Sequence, residues 1–245
     1  MALLHSQAEN DQFEIATESG LIAVSLRRHP NARNYTLRLK SATGAPVLTM
    51  PKRGSLREAR QFLDRHAGWL LREMDKLPKP RPIVHGATVP LRGIPHRIHH
   101  RDRRGTVSVE PVDGAPGLVV AGDPAHLRRR VLDFLKREAR RDLEPRVRHH
   151  AEALGVAVKA IRLRDQTSRW GSCTMTGHLS FSWRLIMAPP FVLDYLAAHE
   201  VAHLREMNHS RRFWRLCEAL CPQSRQARAW LNAEGAKLHA VGSNQ

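Results

Sequence analysis

The chain has 245 residues, of which 42% are hydrophobic and 26% are charged, a balance typical of a globular protein with a buried core. This composition excludes a disordered tail, a collagen-like fibre and a disulfide scaffold, and three cysteines indicate a reducing compartment, which predicts a cytoplasmic protein. Forty lysines and arginines against 23 acidic residues give a net charge of +17, so nucleotides and nucleic acids are candidate partners, although a GC-rich genome would produce the same arginine excess.

Membrane insertion and secretion are not expected. No apolar run approaches the roughly 20 residues that cross a bilayer. The segment Met1–Gly20 is polar and acidic and has neither the basic nor the apolar region of a signal peptide. No internal repeat is visible.

Seven short segments in the first half of the chain are predicted to be β-strands. In Tyr35–Lys40, for example, apolar and polar residues alternate as in a half-buried strand. Glycine, proline and asparagine separate the segments. The predicted strands are Leu21–Leu26, Tyr35–Lys40, Val47–Met50, Thr88–Leu91, His96–His100, Thr106–Glu110 and Leu118–Val120.

Two helices accompany these strands. The first is predicted to begin after Ser55, where Glu58 completes a capping box, and to end before Pro78. The second begins at Asp123-Pro124 and runs to about Ala153, with a bend or break near its internal proline. Its arginines are interpreted as a solvated face. They are Arg128, Arg129, Arg130, Arg137, Arg140 and Arg141.

The last third of the chain combines two strands with three helices. A strand is predicted at Ala160–Arg164 and another at Leu179–Ile186, after a hairpin turn at Thr176-Gly177. The helices are predicted from Pro190 to about Glu206, from Arg211 to Leu220 and from Ser224 to His239.

The segment His199-Glu200-Val201-Ala202-His203 carries the clearest chemistry. Residues four apart lie on one face of a helix, so the two imidazoles can bind one Zn²⁺. Glu200 lies about 100° further round the helix, where it can act as general base towards a water molecule at the metal. Two core histidines without a metal are the weaker alternative, because adjacent buried imidazoles need a polar partner.

A catalytic zinc needs a third protein ligand and leaves its fourth position to water. His209 follows six residues after His203, and a turn at Asn208 could bring it back to the metal. This spacing is that of the metzincins, but Glu206 stands where they carry glycine, and no Met-turn follows. Glu206 and Glu218 are the acidic alternatives to His209, which is preferred.

Three motifs in order resemble the YgjP/SprT-like zinc metallopeptidase family of bacteria. They are the run Arg169-Trp170-Gly171-Ser172-Cys173, the HExxH segment, and Asn208-His209-Ser210 followed by Phe213-Trp214. The resemblance implies zinc on His199, His203 and His209 and a general base at Glu200. It also implies an α+β, zincin-like fold in which the active-site helix packs on a small sheet. We therefore predict an N-terminal β-rich region with one helix over residues 1–122 and a catalytic domain over residues 123–245.

Several residues near these motifs have two interpretations. Trp170 could line a substrate cleft or pack in the core, with Gly171 making the turn. Arg169 and Arg184 could bind an oxyanion or a substrate carboxylate or phosphate, or could form surface salt bridges. Tyr195, one turn before His199, could reach the site or pack as a buried aromatic.

The three cysteines are not predicted to carry the chemistry. A zinc site already supplies a nucleophile, which leaves no need for Cys173 in that role. Cys217 and Cys221 lie four apart on a predicted helix, and packed thiols are the preferred interpretation over a metal pair.

The sequence therefore predicts a zinc-dependent hydrolase in which Glu200 takes a proton from water and passes it to the leaving group. The resemblance implies a metallopeptidase with protein or peptide substrates. Two alternatives stay open, namely a metal-dependent hydrolase of nucleotide phosphoanhydrides and a zinc-stabilised module that binds nucleic acid. The oligomeric state is not predicted.

Overall fold

The computed structural model describes residues 12–17, 20–39, 44–166 and 169–242. Over these residues the protein is α+β, with five α-helices and three small mixed sheets. The chain divides into two compact units, residues 1–77 and 78–245. The boundary predicted between residues 122 and 123 lies inside the second unit, because the sheet that precedes it packs against the helix that follows.

The first unit consists of a four-stranded sheet and one helix. Its elements are β1 (Gln12–Thr17), β2 (Gly20–His29), β3 (Thr36–Leu39), β4 (Pro46–Pro51) and α1 (Leu56–Asp75). The strand order is β1-β2-β4-β3, with β2 and β4 parallel and the other neighbours antiparallel. The three predicted strands are confirmed, except that β3 begins at Thr36 and not at Tyr35, and that Lys40 lies outside the described residues. β1 was not predicted. Residues 1–11, 18 and 19 also lie outside the described residues.

The predicted capping box begins α1. The Ser55 Oγ accepts a hydrogen bond from the Glu58 N–H at 3.1 Å, and the Glu58 carboxylate accepts one from the Ser55 N–H at 3.5 Å. The apolar face of α1 packs on the sheet through Ala59, Leu63 and Leu70, which are fully buried. Local capping and one apolar stripe therefore fix this helix.

The second unit begins with another four-stranded sheet. Its strands are β5 (Thr88–Leu91), β6 (Ile94–Arg101), β7 (Val107–Val112) and β8 (Ala115–Ala121), in the order β5-β6-β8-β7. Only β6 and β8 are parallel. Both four-stranded sheets therefore have the same strand order and the same parallel central pair, and each precedes a long helix. This structural repeat is not visible in the sequence.

Helix α2 (Leu127–Leu154) follows a short 3₁₀ turn at Pro124–His126 and continues through Pro145 without ending. Its buried face includes Val131, Leu135 and Leu143. On its other side most of the arginines are exposed, as predicted, and three of them form ion pairs with acidic residues of the same helix. These pairs are Arg129–Asp133, Arg140–Glu144 and Arg141–Glu138. Arg130 is only half-exposed and donates to the Gly105 carbonyl.

The third sheet has three strands, β9 (Ala160–Arg164), β10 (Gly171–Cys173) and β11 (His178–Ser182), in the order β10-β11-β9. The predicted hairpin turn is confirmed, with Gly177 at φ +81°. The strand predicted over Leu179–Ile186 is wrong beyond Ser182, where a 3₁₀ turn spans Trp183–Met187. Every residue of that turn is buried, and a continuous apolar run does not distinguish a buried turn from a strand.

The chain ends with α3 (Pro190–Ala202), α4 (Arg211–Leu220) and α5 (Ser224–His239). Helix α3 is almost completely buried and contacts α2, α4, α5 and β10. It ends four residues before the predicted Glu206, because the N–H groups of Leu204 and Arg205 bond to carbonyls three residues back and tighten the last turn. Among the described helices, none has the length and apolar character to cross a membrane.

Candidate active site

The three candidate metal ligands converge at the end of α3. His199 lies in its last turn, His203 caps its C-terminus, and His209 lies in the loop before α4. One ring nitrogen from each lies within 4.8 Å of the others. The Nε2 atoms of His199 and His209 are 3.2 Å apart and so face the same point. This is the only such group of three metal-binding side chains among the described residues.

The early end of α3 makes this convergence possible. A helix that continued to Glu206 would carry the chain away along its axis, whereas the loop from Leu204 to Ser210 reverses it towards His199. Glu206 contributes its backbone carbonyl, which lies 3.1 Å from the His203 Nδ1. Glu218 pairs instead with Arg225 at 3.2 Å. Neither acidic alternative therefore belongs to the histidine group.

Hydrogen bonds to the outer ring nitrogens orient two of the histidines. The His203 Nδ1 faces the Glu206 carbonyl, and the His199 Nδ1 lies 3.2 Å from the Tyr195 Oη. An Nδ1–H donated to these oxygens leaves each Nε2 with a free lone pair, which is the tautomer that binds a metal. Tyr195 is thus both a buried aromatic residue and a contact of His199, so both interpretations of this residue are correct.

The pKa values of two of the imidazoles are lowered, which favours their uncharged form. Burial, followed by the neighbouring rings of His203 and His209, lowers the pKa of His199 to about 3. Burial also lowers the pKa of His203. Because a metal ion binds neutral imidazole, a proton does not compete with the metal for the lone pairs of His199 and His203 at neutral pH.

Two aromatic residues of α4 support the histidine rings. The Ser210 Oγ accepts a hydrogen bond from the Phe213 N–H and caps α4, which places Phe213 and Trp214 in its first turn. The Phe213 ring stacks on His203 with centroids 4.4 Å apart, and Trp214 stacks on His209 at 5.5 Å. The segment from Asn208 to Trp214 therefore both caps α4 and packs aromatic rings against the histidine group.

Glu200 lines the same cleft as the three histidines and is buried, with 3% of its surface exposed. Its Oε2 atom has no hydrogen-bond partner among the described residues. Desolvation raises the pKa of Glu200 to about 8, an effect that the positive charge of Arg169 partly opposes. A buried, unpaired carboxyl next to metal-binding side chains has the properties of a group that exchanges protons.

Gly171 has a different role from the predicted one. It lies in β10, paired with Phe181, and does not have a positive φ, so it makes no turn. A Cβ at this position would lie 2.3 Å from the Glu200 Oε1 and 2.8 Å from its Cγ and Cδ. The absent side chain therefore makes room for the Glu200 carboxyl.

A cleft of about 560 Å³ lies over the site, between β10 on one side and α5 on the other. Trp170 lines it and also stacks on His239, with centroids 4.4 Å apart, so it has both of its predicted roles. Arg169 lines the cleft as well, whereas Arg184 does not. Arg184 is buried and binds Asp165 at 3.1 Å and the carbonyls of Leu238 and Val241, so the predicted surface position is wrong.

The cysteines have the properties expected of packed thiols. Burial, with a smaller contribution from Glu200, raises the pKa of Cys173 to about 11, which disfavours the thiolate that a nucleophile requires. Burial also raises the pKa of Cys217 to about 12 and that of Cys221 to about 11. Neither belongs to a metal-binding group in the part of the chain that is described.

One wall of the cleft was missed by the sequence analysis. Arg228, Leu231 and Asn232 line it from α5. Their i, i+3, i+4 spacing does indicate a common helix face. Nothing local indicates that this face, rather than another, meets the histidine group.

Comparison with known protein families identifies the family of the chain. The sequence model of the YgjP-like metallopeptidase domain matches residues 33–234. None of the curated proteins matches the chain. The solved structure of the metallopeptidase zymogen abylysin from Pyrococcus abyssi is 21% identical, with a TM-score of 0.34, over 37% of this chain and 93% of that one. That likeness is too slight to support a conclusion. Because the family match extends through both compact units and includes every residue that lines the cleft, the chain belongs to the YgjP-like metallopeptidase family.

Proposed function

We propose that the protein is a zinc-dependent peptidase in which His199, His203 and His209 hold the metal and Glu200 is the general base. The observation that carries this proposal is the pairing of three convergent imidazole nitrogens with a buried, unpartnered carboxyl on the neighbouring residue. Three histidines with an open fourth position form a typical catalytic zinc site, whereas structural sites are closed by four protein ligands.

The residues fit zinc in both number and chemistry. The nitrogens of His199 and His209 already face one point, and Tyr195 and the Glu206 carbonyl hold the outer nitrogens of His199 and His203. Zinc bound there would polarise the scissile carbonyl and lower the pKa of a water molecule towards 7.

Glu200 would then perform the proton transfers. Its carboxylate accepts a proton from the attacking water and delivers it to the departing amine. A nearby cation lowers the pKa of a buried carboxyl, which offsets the desolvation that raises it in the protein alone. Gly171 leaves space for the carboxyl to turn between these two positions.

The free edge of β10 supports a peptide substrate. The Trp170 carbonyl accepts from Ser182, and the Thr174 N–H donates to His178, both in β11. Alternation along an antiparallel strand directs the backbone groups of Gly171 and Cys173 to the other side, where no described strand pairs with them. An extended peptide can add to such an edge and lie across the cleft.

The test compares zinc-loaded wild type with Glu200→Gln and His203→Ala on an unstructured protein, with products read by mass spectrometry. We expect Glu200→Gln to keep one zinc per chain and to lose activity by about 100-fold or more. His203→Ala should lose both zinc and activity. Glu206→Gln is the matched control and should behave as wild type, because only its backbone carbonyl contacts the site. Wild-type activity in Glu200→Gln would overturn the proposed mechanism.

A nucleotide substrate is the second candidate, since two arginines, Arg169 and Arg228, line the cleft. A parallel assay with nucleoside triphosphates tests it. Release of phosphate or pyrophosphate without new peptides would move the assignment to phosphoanhydride hydrolysis. Nucleic-acid binding by the basic surface and a cytoplasmic location stay predictions from composition.

A further inference from the structure

We propose that Arg228 determines specificity and that the cleft selects peptides with an acidic side chain close to the cleaved bond. This inference rests on the proposed peptidase function and adds the substrate class to it. The residue lies on α5, and its neighbours Leu231 and Asn232 line the cleft from the same helix face.

The position of Arg228 is fixed by an aromatic contact. Its guanidinium carbon lies 4.1 Å from the centre of the Trp214 ring, and Trp214 stacks on His209. One indole therefore separates the positive charge from the histidine group.

This contact leaves the hydrogen-bonding edge of Arg228 free. An indole covers one face of the guanidinium plane, whereas the N–H donors point outward within that plane. A carboxylate can then accept two parallel hydrogen bonds from a guanidinium that is already oriented. The stacked guanidinium is thus preorganised to bind a planar anion such as a carboxylate.

The charges in the cleft are not balanced by acidic side chains. Arg169 lines the cleft at β10, and Glu200 is the only acidic residue among those that line it. Neither Arg169 nor Arg228 forms an ion pair with a described residue. Arg225, on the same helix as Arg228, differs in this respect, because it pairs with Glu218. The missing negative charge is therefore expected to come from the substrate.

A peptide carboxylate fits this arrangement better than a basic or neutral side chain. The edge of β10 provides backbone pairing that does not depend on sequence, so selection must come from side-chain contacts on the cleft walls. A basic side chain near the cleaved bond would face two arginines against one carboxyl and would be rejected.

The experiment uses zinc-loaded full-length protein and one cleavable peptide in which each position flanking the cleaved bond is varied in turn to Glu, Gln or Lys. We expect one position at which wild type prefers Glu over Gln by about tenfold in kcat/KM, mainly through KM. Arg228→Gln should abolish the preference, Arg228→Lys should restore part of it, and Arg228→Glu should shift it towards Lys. Arg225→Gln is the control on the same helix and should retain the wild-type preference.

Three results would overturn the inference. The first is equal cleavage of Glu and Gln peptides at every position, and the second is a Glu preference that survives in Arg228→Gln. In either case the peptidase assignment stands, because cleavage is still observed. The third is hydrolysis of nucleoside triphosphates that depends on Arg228 without cleavage of any peptide, which would overturn the proposed function as well. Zinc content and circular dichroism of each variant separate these results from misfolding.

Discussion

Gly171→Ala tests the active-site geometry with the smallest possible change. Gly171 has no positive φ and lies in a strand, so the backbone accepts alanine without strain. The added Cβ would lie 2.3 Å from the Glu200 Oε1, and Cβ atoms in proteins do not approach other atoms closer than about 3.0 Å. The carboxyl and the strand must therefore move apart by about 0.7 Å.

The carboxyl is the end of a flexible side chain, so it is the part that moves. We expect a cost of about 1–3 kcal/mol in the free energy of unfolding, the usual cost of overpacking. A catalytic group displaced by about 1 Å can lose about 100-fold in rate. The predicted result is a variant that folds and binds zinc normally but has a kcat reduced by about 100-fold.

The assay measures peptide cleavage, zinc content and urea unfolding on the same preparations. Gly68→Ala in α1 is the control, because its Cβ would meet only the Arg72 side chain at 3.6 Å. That variant should keep wild-type activity and gain up to about 1 kcal/mol from its higher helix propensity. Wild-type kcat in Gly171→Ala would refute the reasoning, since Glu200 would then tolerate displacement and could not be the base.

Three more predictions follow from contacts around the site. Tyr195→Phe removes the oxygen next to the His199 Nδ1 and should weaken zinc binding by about 10–100-fold in a chelator competition; unchanged affinity would show that this oxygen does not orient the ring. Arg184→Met removes the donor to the Leu238 carbonyl, which keeps backbone N–H partners, and to the Val241 carbonyl, which loses its partner. It should lower the free energy of unfolding by about 2 kcal/mol in urea, whereas a loss below about 1 kcal/mol would contradict the role given to this arginine. Burial, followed by the charge of Arg184, lowers the pKa of His239 from 6.5 to about 4, so between these values the unfolded chain binds the extra proton. The stability due to neutral His239 is therefore complete above about pH 6.5, and about 3 kcal/mol of it is lost as pH falls towards 4. Across this range the free energy of unfolding should depend less on pH in His239→Gln than in wild type. Equal pH slopes of the two proteins would contradict the prediction.

Local signals account for the elements that the sequence predicted well. The capping box of Ser55 and Glu58 is a contact between residues three apart, and the turn at Gly177 depends on one backbone conformation. The bounds of α4 and α5 agree with the prediction for the same reason, because Ser210 caps the first and both helices carry their own apolar spacing. The convergence of the three histidine rings also has a local cause, since they lie within one short segment, whereas their role as zinc ligands stays a proposal.

Contacts between distant residues account for what was missed. The parallel pairing of β6 with β8 and the matching scheme in the first unit depend on strand order, which alternation does not encode. The role of Gly171 depends on Glu200, and the place of Arg228 in the cleft depends on how α5 packs. Likewise, the end of β11 at Ser182 is set by the capped turn that follows it and not by hydrophobicity.

The spacing of the histidines determines what a metal ion can do for the stability of the protein. An ion held by His199, His203 and His209 would close only a short loop, so it would remove little entropy from the unfolded chain. The core around α2 and α3 is assembled from apolar side chains and does not depend on that loop. Such an ion would therefore be an exchangeable part of the protein and would not be required for its fold. Chelation should abolish activity yet leave cooperative unfolding of residues 78–245 in place, and added zinc should restore turnover without refolding.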